Sequence, residues 1–354
     1  MKTSTFSTSA ALFLSVVLIS NSARGEDAKG LQHLDKAVEI QLNARTPKEL
    51  GGVIEQCRLA LQKGLDDDNA LFAKEMLVST LSRRASAVQG AITSLAQRGP
   101  VPKQQYQQLR ELALTDIREA VKVLPKKASA HYLLGRILSL PGGSRDEAFQ
   151  AFDDAVTHAK DDALKAQALT ARGVLQKDVA KMLADHGAAI KLVPDSAEAL
   201  RTRGALYLQT GKLKEAVADL TKAAELAPNH ARSREMLALA LARNGSVPDA
   251  IKSLTEAIKD HPKNPGLLLQ RARMLLTDKK LDDAVQDMDR ILALRPGHLV
   301  TLLIRAQAHA QLGHYEAAMK DAQAVLDAKP QAVTALQLRA SLLVHGKKLA
   351  EAAA

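Results

Sequence analysis

The sequence predicts an all-α protein, an α-solenoid of antiparallel helix pairs with an irregular helical N-terminal region. Three residue series with one common spacing carry this prediction. Prolines recur every 34 residues, and two series of small residues keep the same interval. A fixed period of this length is typical of stacked supersecondary units. The series are Pro194, Pro228, Pro262, Pro296 and Pro330; Gly204, Ala238, Ala272, Ala306 and Ala340; and Ala216, Ala250, Ala284, Ala318 and Ala352.

One complete unit, residues 197–230, shows why the period predicts a helix pair. Its apolar residues recur at helical spacing, which predicts helix A over about 197–209 and helix B over about 213–226. Gly204 and Ala216 lie where two helices of a hairpin approach closely. Pro228 cannot continue helix B and therefore ends the unit. A single hairpin leaves apolar surface uncovered, so neighbouring units are expected to stack.

The order of small, apolar and proline positions resembles the tetratricopeptide repeat family, whose units are two antiparallel helices. The resemblance implies a right-handed superhelical solenoid that binds proteins or peptides. We predict about six repeats over residues 128–354, with full-length units starting at 197, 231, 265 and 299. The last unit, from Val333, is incomplete, and this favours a chain that continues beyond Ala354.

The N-terminal part divides into two predicted segments. Residues 1–25 are typical of an export signal, because Lys2 precedes the apolar run Ala10–Ile19 and a small-residue cleavage site precedes Glu26. The chain is therefore expected to be periplasmic or secreted, without a membrane span after cleavage. Residues 26–127 are predicted to be helical, either as a cap or as degenerate repeats. The expected helices are Leu31–Asn43, Pro47–Lys63, Ala70–Arg98 and Lys103–Leu124.

Composition narrows the possible partners. The formal net charge of +10 is spread along the chain, and no basic block is interleaved with aromatic residues. This distribution argues against nucleic acid as a partner. Cys57 is the only cysteine, so no internal disulfide can form. The histidines, acidic pairs and serines lack the spacing of a metal, catalytic or cofactor site. We therefore expect no enzyme activity and no cofactor within these residues.

The family resemblance implies that positions 2, 5, 9 and 12 of each helix A line a concave peptide-binding groove. The apolar residues and arginines at these positions suit a peptide with apolar anchors and some acidic residues. Packing against a missing C-terminal region is the alternative role of this surface. The candidate groove residues are Arg201, Leu208, Arg232, Leu239, Leu269, Arg273, Leu276, Leu303 and Gln307.

A second pattern joins positions 7 and 23 of the repeats. Most repeats have Arg at the first and Asp at the second, whereas Leu237 and Ser253 replace both residues together. This joint loss predicts an ion pair between helix A and helix B of one unit. The predicted pairs are Arg172–Asp185, Arg203–Asp219, Arg271–Asp287 and Arg305–Asp321.

Three functions remain open at this stage. The first is an exported adaptor that binds proteins or peptides and helps to assemble an envelope complex. The second is the targeting arm of a larger enzyme whose catalytic domain lies beyond Ala354. The third is a structural subunit that self-associates through its uncapped last repeat.

Overall fold

The computed structural model describes residues 27–99 and 101–345. Helices account for all regular structure in these residues, so the all-α prediction is confirmed. The predicted signal segment and the end of the last repeat lie outside the described residues. The described residues divide into two compact units between residues 168 and 169, within the helix Asp162–Leu175.

Within the described residues, the first unit contains six helices and the beginning of a seventh. The bounds of the first four helices agree with the predicted bounds to within four residues. The helices are α1 (Asp27–Asn43), α2 (Pro47–Lys63), α3 (Asp67–Arg98), α4 (Lys103–Val123), α5 (Ala128–Leu138), α6 (Arg145–His158) and α7 (Asp162–Leu175).

The second unit continues with helices of 13 or 14 residues. Successive helices form pairs, and the first helix of each pair is helix A and the second is helix B. Both helices of residues 197–230 have the predicted bounds. The helices are α8 (Val179–Leu192), α9 (Ala197–Gln209), α10 (Leu213–Leu226), α11 (Ala231–Arg243), α12 (Val247–Asp260), α13 (Pro265–Thr277), α14 (Leu281–Leu294), α15 (Leu299–Gln311), α16 (Tyr315–Ala328) and α17 (Val333–His345).

The periodic residues occupy the positions that the hairpin geometry requires. All five periodic prolines lie between helices. At Gly204, an added Cβ would lie 2.7 Å from Cγ of Leu220 on the partner helix. The periodic alanines that the structure describes within helix B, such as Ala216 and Ala284, are fully buried. Close packing at small residues therefore fixes the distance between the two helices.

Local signals also start the N-terminal helices where the sequence predicts them. The Thr46 side chain accepts a hydrogen bond from the backbone N–H of Glu49, and the Glu49 carboxylate accepts one from the N–H of Thr46. This reciprocal capping box satisfies two of the amides that a helix start leaves unpaired. Asp66 caps α3 by accepting a hydrogen bond from the N–H of Asn69.

Helices α3 and α4 carry the residue spacing of a repeat with a long insertion. Arg84 donates two hydrogen bonds to Asp116, at 2.7 and 2.6 Å, as the paired Arg and Asp of the later repeats do. Ala113, Ile117 and Pro125 keep the spacing from Asp116 that Ala216, Leu220 and Pro228 keep from Asp219. The sixteen extra residues between Arg84 and Asp116 extend the end of α3 and the start of α4 by about two turns each. This spacing is the one expected of a degenerate repeat, and the choice between a cap and degenerate repeats stays a prediction.

Candidate functional site

Helix A of each repeat in the second unit has one face that neighbouring helices leave accessible. In α11 this face contains Arg232, Glu235, Leu239 and Arg243, of which three are exposed and Glu235 is half-buried. The spacing of three, four and four residues follows one side of a helix. We call the accessible faces of α9, α11, α13 and α15 together the helix-A stripe.

Adjacent A helices are joined directly along this stripe. The side-chain amide of Gln270 on α13 donates to the carboxylate of Glu235 on α11. The Arg243 guanidinium on α11 donates to the carbonyl oxygen of Leu208 on α9, at 2.9 Å. That carbonyl belongs to the last turn of its helix, where a cationic partner is favourable. The stripe therefore crosses these consecutive repeats without a gap.

The candidate groove residues have three different environments. Arg232, Leu239, Arg273 and Gln307 are exposed, whereas Arg201, Leu269, Leu276 and Leu303 are half-buried. The three half-buried leucines pack against the hydrophobic core while keeping part of their surface accessible. These eight residues can contact a ligand on the stripe.

Leu208 does not belong to the groove, and this prediction is wrong. Its exposed fraction is 6 %, and it packs in a core cluster with Leu220 and Leu237. A helix has 3.6 residues per turn, so position 13, three turns after position 2, lies on the accessible face. Position 12 is directed towards the next helix. The residues that sequence reasoning missed are therefore those at position 13, all exposed: Gln209, Arg243, Thr277 and Gln311.

The arginines of the stripe differ in their partners. Arg201 forms an ion pair with Glu198 at 2.5 Å, and Arg232 forms one with Glu235 at 2.9 Å. Arg273 is exposed, and no carboxylate of the described residues forms an ion pair with it. The positive charge of Arg273 is therefore available to a ligand.

The four Arg–Asp pairs predicted from positions 7 and 23 are present as two-pronged contacts. In each pair, Nε and a terminal nitrogen of the arginine donate to the two oxygens of the aspartate, at distances between 2.5 and 3.0 Å. The aspartates Asp185, Asp219, Asp287 and Asp321 are buried. Hydrogen bonding to its aspartate raises the pKa of Arg271, which stays charged at all ordinary pH values.

Two of these arginines also reach the preceding repeat. A third nitrogen of Arg271 donates to the Thr255 hydroxyl at 3.0 Å, and one of Arg305 donates to Asp289 at 2.5 Å. Thr255 and Asp289 each lie on helix B of the repeat before. These arginines therefore join two successive repeats as well as the two helices of one hairpin.

The repeat that starts at Ala231 has no Arg–Asp pair and has Leu237 and Ser253 at the two equivalent positions. Leu237 joins a core cluster of the preceding repeat, and the Ser253 hydroxyl donates to the backbone carbonyl of Arg234 at 3.2 Å. A cleft of about 390 Å³ lies beside these two residues, between α10 and α12. The corresponding cleft beside Arg271 and Asp287 measures about 280 Å³.

The described residues contain no group of histidines, cysteines and carboxylates that could hold a metal ion. Burial raises the pKa of the Cys57 thiol to about 12, so the thiol is neutral. His309 and His314 have ring centroids 5.8 Å apart, and no carboxylate or third histidine completes a metal-binding group with them in the described ranges. Among residues 27–99 and 101–345, no helix is both long enough and apolar enough to cross a bilayer.

Comparisons with known proteins agree with this architecture. One model of the tetratricopeptide repeat matches residues 235–298 and 305–354, and a second matches residues 197–230. No curated protein matches the sequence. The fold prediction from the 34-residue period is confirmed.

Solved structures with similar folds are also tetratricopeptide repeat proteins. The C-terminal part of a repeat protein from Cytophaga hutchinsonii aligns with a TM-score of 0.53, at 13% identity over 65% of this chain and 94% of that chain. YrrB, described as a TPR protein with an unusual peptide-binding site, aligns with a TM-score of 0.48, at 22% identity over 57% of this chain and 100% of that chain. A tetratricopeptide repeat protein from Parabacteroides merdae aligns with a TM-score of 0.45, at 17% identity over 73% of this chain and 98% of that chain.

Repeats of this kind serve as protein-binding scaffolds. The period, the helix pairs and the matching repeat models show tetratricopeptide repeats in residues 197–230, 235–298 and 305–354.

Proposed function

We propose that this chain is an exported, non-catalytic scaffold that holds a protein or peptide partner on its helix-A stripe. The observation that carries the proposal is the continuity of the stripe across consecutive repeats. Its accessible residues combine apolar side chains, such as Leu239 at 43 % exposure, with arginines and amides. Apolar anchors bordered by polar groups are the usual composition of peptide-binding surfaces.

The experiment compares one substitution on two faces. Leu239 on the stripe and Leu294 at the end of helix B have nearly equal exposed fractions, 43 % and 40 %. Tagged Leu239→Asp and Leu294→Asp proteins are cross-linked in the producing cell, and the captured partners are quantified by mass spectrometry. We expect Leu239→Asp to lose the wild-type partners and Leu294→Asp to keep them. Equal capture by both variants would exclude the stripe as the binding surface.

The cellular role proposed for this scaffold is the assembly of an envelope complex. Residues 1–25 support export, because a basic start, an apolar run and a small-residue site occur in the order that secretion requires. The mature protein is then expected to begin at Glu26 and to occur outside the cytoplasm. Sequencing the N-terminus of the native protein after cell fractionation tests this. An intact Met1 on cytoplasmic protein would contradict export.

Self-association is a second candidate function. On α17, Val333, Leu336 and Val344 are exposed by 64 %, 43 % and 49 %, and a second copy of the chain can cover such a face. Light scattering over a hundredfold concentration range distinguishes the two candidates. A mass that rises with concentration and returns to the monomer value in Leu336→Asp supports self-association. A constant monomer mass excludes it.

A further inference from the structure

The residues at position 9 of successive A helices change character along the stripe. Val174, at the equivalent place in α7, is 55 % exposed, and Leu239 in α11 is also exposed. Ala205 lies between them in the series and is half-buried. The next two residues are polar, namely Arg273 and Gln307, and both are exposed. At position 9, apolar residues are therefore followed directly by a cation.

The charge at this boundary is not neutralised within the described structure. Arg201 and Arg232 have acidic partners one turn away on their own helices. Glu235, the carboxylate of the neighbouring helix, already accepts hydrogen bonds from Arg232 and Gln270. No ion pair joins Arg273 to an acidic residue in the described part of the chain. Arg243 also has no acidic partner, but its guanidinium donates to the Leu208 carbonyl oxygen. Arg273 is therefore the preferred place for an anionic ligand group among the arginines of the stripe.

The spacing of the helices sets the spacing within a ligand. Helix α11 contacts α13 directly, and packed helices have axes about 8–10 Å apart. Ligand groups that contact Leu239 and Arg273 must therefore lie about 10 Å from each other. An extended peptide covers this distance in about three residues, and a helical peptide covers it in about seven.

We propose that the stripe recognises an acidic peptide segment, with an apolar side chain on Leu239 and an Asp or Glu carboxylate on Arg273. The two peptide residues are three positions apart if the segment is extended and seven apart if it is helical. Arginine suits this role because its planar guanidinium binds a carboxylate through two parallel hydrogen bonds. This inference rests on the proposed function, since it identifies the chemistry of the partner on the same surface.

The test uses a displayed library of random 16-residue peptides selected on the full chain. We expect enrichment of peptides that place Asp or Glu three or seven positions from Leu, Ile, Val or Phe. The two spacings distinguish an extended from a helical ligand. The best enriched sequence is then synthesised with a fluorophore, and its affinity is measured by fluorescence anisotropy.

Two variants make the measurement specific. Arg273→Gln removes the unpaired charge, and Arg118→Gln removes an equal charge on α4, outside the stripe, where Arg118 is 52 % exposed and pairs with Glu147. We expect Arg273→Gln to weaken binding about tenfold to a hundredfold, the range of a hydrogen-bonded charge contact. Arg118→Gln is expected to change the affinity less than threefold, because Arg118 lies outside the stripe and its exposed ion pair contributes little. Circular dichroism of both exposed-site variants verifies that they fold.

The outcomes separate this inference from the proposed function. Selection of peptides without an acidic preference, or equal loss in both variants, would overturn the assignment of Arg273 and leave the stripe as a binding surface. Failure to select any peptide whose binding depends on Leu239 would overturn both.

Discussion

The Arg271–Asp287 pair gives the most quantitative test of the repeat architecture. Asp287 is almost fully buried, with 2 % of its side chain exposed, while Arg271 is 18 % exposed. Two hydrogen bonds of 2.7 and 2.6 Å join them. We expect Arg271→Leu and Asp287→Ser to destabilise the protein separately and to compensate each other when combined. The combined variant reproduces Leu237 and Ser253, which the chain already uses in one repeat.

The structure sets the size of each effect. Arg271→Leu leaves a buried carboxylate without its partner, which costs about 3–5 kcal/mol. Arg290 lies 3.5 Å from Asp287 and compensates part of this loss, so we expect about 3 kcal/mol. Asp287→Ser leaves Arg271 partly solvated and bound to Thr255, at a cost of about 1–2 kcal/mol. The double variant is expected to lose less than about 1 kcal/mol, since apolar replacement of a buried pair is often neutral.

Hydrogen exchange measured by mass spectrometry reports the local opening free energy of α13 and α14, which contain the pair. The coupling energy from the four proteins is expected to be about 3 kcal/mol. The exposed pair Arg118–Glu147, with 52 % and 56 % of the side chains exposed, is the control, and the same replacements there should cost less than about 1 kcal/mol. If the double variant loses the sum of the two single losses, the side chains act independently and the reasoning is refuted.

Three further changes test the packing, the capping and the histidines. Gly135→Ala brings a Cβ to 2.6–2.9 Å from the buried Phe152 ring and is expected to cost about 1–3 kcal/mol of stability. Urea denaturation measures the loss, and the double variant Gly135→Ala/Phe152→Leu should recover part of it. Thr46→Ala removes the side chain that caps the Glu49 N–H and should cost about 1 kcal/mol of stability. We expect faster hydrogen exchange in the first turn of α2, and unchanged exchange would contradict this prediction. Burial lowers the pKa of His186, so the unfolded chain binds more protons and stability should fall as the pH drops below about 6.5. His186→Leu should reduce this dependence between pH 7 and pH 5, and an unaltered pH profile of the urea midpoint would refute it.

Sequence reasoning succeeded where one side chain is constrained by a fixed neighbour. Gly204 must be small because it lies against Leu220, and Pro228 must follow a helix because it cannot continue one. Such constraints recur in every hairpin, so the 34-residue period contains them. The bounds of α9 and α10 could therefore be predicted to the residue.

The 34-residue period could not reveal the insertion in α3 and α4, because the insertion removes the period without removing the contacts. Arg84 and Asp116 are 32 residues apart, whereas Arg203 and Asp219 are 16 apart. The longer helices still bring the first pair together. The spacing of Ala113, Asp116 and Pro125 was the available signal, since it repeats that of the later helices B. A search by period alone does not find it.

The prediction that placed Leu208 in the groove failed for a different reason. Positions 12 and 13 of helix A differ by only one residue, and the direction of the next helix decides which of them is covered. That direction depends on tertiary packing, which a single repeat does not contain. The structure buries Leu208 and exposes Gln209. Sequence periodicity thus placed the accessible face to within one residue.

The two faces of helix A obey different rules within this one chain, and this difference indicates where its specificity lies. On the inner face, Arg and Asp are kept or lost together, because a buried charge without its partner is costly. On the stripe, Ala205, Leu239, Arg273 and Gln307 replace one another at position 9 while the repeat geometry is maintained. Water solvates an exposed charge, so these residues can change singly without loss of the fold. The stripe can therefore acquire a ligand preference residue by residue, and Arg273 is the position at which we propose that a ligand carboxylate binds.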